Sequence, residues 1–101
     1  MLERSAIILR PKTPFWAWVN SIEPIDLGNI DQNDPEVYLV PDFMEQSEIE
    51  EWLKINFDYF FSEQLNDWYL DESLWVQNRT YKMFLEWFDY SVHTMVIDTV
   101  V

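Results

Sequence analysis

A chain of 101 residues with six Trp, five Tyr and seven Phe and a formal charge of −13 has one economical arrangement: rings inside, carboxylates outside. Acidic chains that stay disordered lack such aromatics, because they cannot bury enough apolar surface to offset the entropy of ordering. The charge also limits the partners. Nineteen Asp and Glu against six Lys and Arg repel phosphate backbones and anionic lipid, so neither nucleic acid nor membrane is expected as a partner. The length fits one domain, 1–101, with a core that needs no staples. Gly occurs once, which rules out a glycine-rich phosphate loop. Cys is absent, so there is no disulfide and no thiolate metal site, as suits a reducing cytoplasm.

The apolar run Ala6–Leu9 lies between Arg4 and Arg10. It is shorter than the ~7–15 residues of a signal peptide core or the ~20 of a membrane span. The expectation is a complete, soluble, cytoplasmic chain. Asn78-Arg79-Thr80 matches the glycosylation pattern, which has no meaning without secretion.

Ser5–Arg10 reads as a strand stopped by Pro11, and Thr13-Pro14 as a helix start with a hydroxyl cap. Phe15, Trp18, Val19 and Ile22 then form one apolar stripe, ended by Glu23-Pro24. Residues 23 to 35 are the most loop-like stretch, and Glu36–Val40 is a second strand. Ser47-Glu48-Ile49-Glu50 has the form of a capping box opening a long amphipathic helix. Its stripe is Ile49, Trp52, Leu53, Phe57, Phe60, Phe61, Leu65 and Trp68, opposite Glu51, Lys54, Asp58, Ser62 and Glu63. After a turn at 71–75, Asn78 caps a third helix with Tyr81, Phe84, Leu85 and Phe88 on one face. Ser91–Val100 closes the chain as a β-branched strand.

These elements give an α+β fold in the order β-α-β-α-α-β. The expected sheet has three strands and is mixed, with helices packed on one face. The first two strands run parallel through a right-handed crossover, and the last is antiparallel to them. A one-sided helix layer leaves the other sheet face open. On the last strand Met95 and Ile97 alternate with Val92, Val96 and Val100, so one set must lie outside. A homodimer through that face, or else partial cover by the loop 23–35, is the expected remedy, with a protein as partner.

Three segments together resemble a family of small acidic bacterial proteins of unassigned function. They are Ser5–Lys12 with Pro14-Phe15, Glu36–Phe43, and Asp71–Trp75 through Asn78-Arg79-Thr80. The resemblance covers nearly the whole chain. It implies a bacterial cytoplasmic protein and carries no activity, cofactor or site.

The candidate chemistry is thin. His93 is the only histidine, so a two-histidine metal site is impossible, and no Cys or Gly-x-Ser-x-Gly elbow accompanies it. It could act as a general base, but a solitary strand histidine is more often structural. Asn29-x-Asp31-x-Asn33 begins like a calcium loop, yet Asp34 replaces the required Gly and Val40 the terminal Glu; a solvated Asx turn is the simpler reading. No metal and no cofactor is therefore expected.

Arg79 and Lys82 form a basic island next to Asp71 and Glu72, which reads as surface ion pairs. Asp71, Trp75, Asn78 and Arg79 join polar groups to an aromatic in a non-regular segment, where binding residues concentrate. The competing reading has Trp75 plugging the core and Asn78 capping the helix. Trp18, Trp52 and Trp68 read as core, while Trp16 and Trp87 fall off their stripes and are candidates for an interface. The expected function is a non-enzymatic protein-interaction or regulatory module. The alternatives are a small enzyme or ligand binder with its site near His93 or the 71–79 segment, and an acidic mimic of nucleic acid.

Overall fold

The computed structural model describes residues 3–24 and 35–100. The elements are β1 (Ser5–Pro11), α1 (Thr13–Ile22), β2 (Glu36–Val40), α2 (Gln46–Asn66), a 3-10 turn (Glu72–Leu74), α3 (Tyr81–Trp87) and β3 (Phe88–His93). The fold is α+β in the order read from the sequence. The Asn29–Asn33 motif lies outside the described residues.

The sheet has the order β2-β1-β3 and is antiparallel throughout, not mixed. The crossover expectation assumed that α1 returns the chain to the start of β1. α1 is ten residues, about 15 Å long. The antiparallel pairing has β2 entering from the end where β1 stops, and most of the loop-like stretch 23–35 lies outside the described residues. Ser5 pairs with Val40 and Leu9 with Glu36.

β3 is also displaced from its expected position. It starts at Phe88, directly after α3, and ends at His93. Its partners run from Pro11↔Phe88 to Ala6↔His93, so β1 has almost no backbone left to pair with residues beyond 93. Hence 94–100 carries no regular structure, and Phe88 belongs to the sheet instead of the helix.

Register sorts the sheet into two faces. Ile7, Leu9, Tyr38, Val40, Phe88, Tyr90 and Val92 face the helices, and all are buried or half-buried. The core joins these to Phe15 and Val19 of α1, Ile49, Leu53, Phe60, Phe61 and Leu65 of α2, and Phe84 of α3. Rings dominate the interior. Phe61 lies 5.3 Å from Phe88, 5.5 Å from Trp87 and 6.1 Å from Phe84, ring centre to ring centre. Trp16 and Trp87, expected at an interface, are instead half-buried members of this cluster; Trp16 meets Trp68 edge-on at 5.4 Å.

The one buried amide side chain, among the described residues, is satisfied: Gln64 Nε2 donates to the Tyr38 hydroxyl at 2.8 Å. Burial pushes the Tyr38 phenol up to about 12. A folded-state pKa above the unfolded value favours folding below pH ~10, and that contribution is lost as pH rises through about 12. Burial raises the Tyr90 phenol as well, so alkaline unfolding followed by circular dichroism should lose only part of its pH 10–12 component in Tyr38→Phe.

Helix starts differ from the sequence reading. α2 begins at Gln46 with Glu45 outside it, and no side chain caps it. Gln46 Nε2 reaches the Val92 carbonyl at 3.1 Å, a tertiary bond that fixes the first turn one residue ahead of Ser47. Ser47 meets only Glu45, at 3.5 Å. α1 likewise has Lys12, not Thr13, outside its first turn. In α3 the cap is Thr80, whose hydroxyl accepts from the Met83 amide at 3.1 Å, in place of Asn78. Thr80→Ala is expected to cost about 0.5–2 kcal/mol, and Ser47→Ala less than about 0.5 kcal/mol. Urea denaturation of the two variants checks the contrast.

Candidate functional site

The segment between α2 and α3 has little regular structure, and half-buried rings hold it in place. Trp75 Nε1 donates to the Tyr69 carbonyl at 2.8 Å, the Tyr69 hydroxyl to the Val19 carbonyl at 2.9 Å, and Trp18 Nε1 to the Leu74 carbonyl at 3.0 Å. Each aromatic thus packs its body on the core while its polar tip satisfies a backbone carbonyl of the loop or of α1.

Asp71 caps the 3-10 turn, accepting from the Ser73 hydroxyl at 2.7 Å and the Ser73 amide at 3.0 Å. Those two bonds hold its carboxyl below the usual carboxylate range. Asn78 adopts φ 55°, a left-handed geometry that Asn tolerates better than most residues, and turns the chain into α3. Neither residue contributes a side chain to a shared cluster with Arg79.

Arg79 is the hub of the segment. Its Nε and one terminal nitrogen bond the two oxygens of Asp58 on α2, at 2.7 and 3.2 Å. The same guanidinium reaches the Ser62 hydroxyl at 3.3 Å and the Val76 carbonyl at 2.9 Å. It also lies 5.9 Å from the ring centres of both Phe61 and Trp75. The expected pairing of Arg79 and Lys82 with Asp71 and Glu72 is thus replaced by one with Asp58, the one ion pair among the described residues.

A groove of about 350 Å3 opens beside this hub, lined by Asp58, Tyr59, Ser62, Glu63, Asn66 and Trp75. Of these, only Trp75 stands out from the sequence as a binding candidate. The others occupy consecutive turns of the polar face of α2: 58, 62 and 66 at spacings of four, with 59 and 63 alongside. That spacing, crowned by an exposed tyrosine on a solvated face, was the available signal.

His93 lies elsewhere. It is exposed on the outer sheet face, where its Nε2 is 3.0 Å from the Ser91 hydroxyl. The helices and the groove lie on the other side of the sheet, so the structure does not unite His93 with the 71–79 segment.

The outer sheet face is the second notable surface. Rows Leu39–Ala6–His93 and Val37–Ile8–Ser91 run across the three strands, with Arg10 opposite Asp89 beyond them. Val37 and Leu39 are 60% and 57% exposed. Met95 and Ile97, just past β3, are 68% and 67% exposed. Among the described residues no group of His, Cys, Asp and Glu is arranged to hold a metal, and no helix is long and apolar enough to cross a membrane. No family model, no curated protein and no solved structure matches the chain.

Proposed function

We propose that this protein is a non-enzymatic interaction module that works as a homodimer, joined through the outer face of its sheet. The observation that carries this reading is the exposed pair Val37 and Leu39, set beside half-buried Ile8 of the neighbouring strand, where Ala6 is already buried. A contiguous apolar sheet face is a surface that monomers seldom leave in water.

Charge favours a second copy as the occupant. Exposed Glu48, Glu50, Glu51, Asp58 and Glu63 make the helical side strongly repulsive toward another copy. The outer sheet face carries Arg10 against Asp89, one charge of each sign. It is where a protein of charge −13 can meet itself at least electrostatic cost. Pro35 and Pro41 bracket the short edge strand β2, which discourages growth of the sheet at that edge.

Light scattering on the eluting protein tests the reading. Val37→Asp and Leu39→Asp together should convert a dimer to a folded monomer. Ile55→Asp, at an 80% exposed position of α2, should leave the mass unchanged. Equal masses for all three proteins would refute the proposed surface.

A further inference from the structure

The groove beside Trp75 has the chemistry of a cation receptor. We propose that it receives the guanidinium of an arginine side chain on an extended segment of a partner protein. Its lining includes two aromatic side chains, Tyr59 at 66% exposure and half-buried Trp75, and a planar cation packs well on aromatic rings. The lining also supplies residues that can accept: the Ser62 hydroxyl, the Asn66 amide oxygen and the Glu63 carboxylate. Arg79 neutralises Asp58, while Glu63 is in no ion pair among the described residues and is the uncompensated charge of the groove.

The molecule already solves this problem once. The Arg79 guanidinium takes a carboxylate in a two-point bond, a serine hydroxyl and the neighbourhood of the Trp75 ring. A second guanidinium in the groove would use Glu63, Asn66 and the Tyr59 ring in the same manner. Arginine suits the site better than lysine, because its planar fork both stacks and bonds a carboxylate at two points. A nucleobase would stack as well, but its phosphate meets a protein of charge −13, whereas a basic segment is drawn in by that same field.

Titration of 15N-labelled protein with acetyl-Gly-Arg-Gly-amide, followed by NMR, tests this. Saturable shifts are expected at 58–66 and at the Trp75 indole, with weaker binding of the lysine peptide and of spermidine. Glu63→Gln should weaken the arginine peptide by up to about fivefold, and Tyr59→Ser, at an exposed position, should weaken it as well. Glu51→Gln removes the same charge about 18 Å along the helix and should change binding less than about twofold. Equal losses from Glu63→Gln and Glu51→Gln would mean diffuse attraction and overturn the site. Equal binding of spermidine or the lysine peptide would overturn the assignment to arginine.

Discussion

Phe61→Ala should destabilise the fold by about 3–5 kcal/mol, a large share of the stability of a domain this size. Phe61 is fully buried on α2. Its ring is the meeting point of three elements, touching Phe84 and Trp87 of α3 and Phe88 of β3. It also lies beneath the Arg79 guanidinium. Truncation removes the transfer energy of a benzyl group and leaves a cavity whose walls are other rings, which cannot collapse far to fill it. Ile55→Ala, six positions away and 80% exposed, should change stability by less than about 0.5 kcal/mol. Urea unfolding monitored by tryptophan fluorescence gives both values. A loss under about 1.5 kcal/mol at Phe61 would mean the interior is looser than these contacts imply.

The second large effect is expected at Arg79, and it is asymmetric. The Arg79 side chain is 17% exposed and that of Asp58 is 53%. Arg79→Ala removes the bonds to Asp58, Ser62 and the Val76 carbonyl along with the stacking on two rings, and should cost about 1–3 kcal/mol after screening at the exposed carboxylate. Asp58→Ala leaves the guanidinium its Val76 carbonyl and its rings, with water to replace the carboxylate, and should cost about 0–1 kcal/mol. Arg79→Lys should rescue little, since an ammonium cannot reproduce the fork. Thermal unfolding of the three variants measures this, and equal losses for Arg79→Ala and Asp58→Ala would assign the whole effect to the ion pair.

What the sequence made legible was local. The stripes of α1 and α2 follow from 3.6-residue periodicity, and Phe15, Val19, Ile49, Leu53, Phe60, Phe61 and Leu65 are buried accordingly. Boundaries set by distant partners were not legible. The Ser47 box matches the capping pattern, yet the Gln46 bond to Val92 starts the helix earlier, across 46 residues of sequence. β3 stops where β1 runs out, and nothing in the β-branched run 91–100 signals that limit. The direction of β2 shows only in its antiparallel pairing with β1. The site behaved the same way. Trp75 and Arg79 stood out locally, but Asp58, the partner that anchors Arg79, is 21 residues away and on a face that reads as solvated. Sequence placed Asp71 and Asn78 in the site because they are neighbours in the chain, whereas one caps a turn and the other bends the backbone. The open sheet face was legible in outline, because a single helix layer cannot cover both sides of a three-stranded sheet.

The central claim is that this face meets its own copy, and sedimentation equilibrium at micromolar concentration tests it most directly. The account predicts a species of twice 12.3 kDa, with association tightening from low to physiological salt as the repulsion between acidic helical layers is screened beyond about 8–10 Å. A 12.3 kDa monomer at both salt concentrations would contradict it.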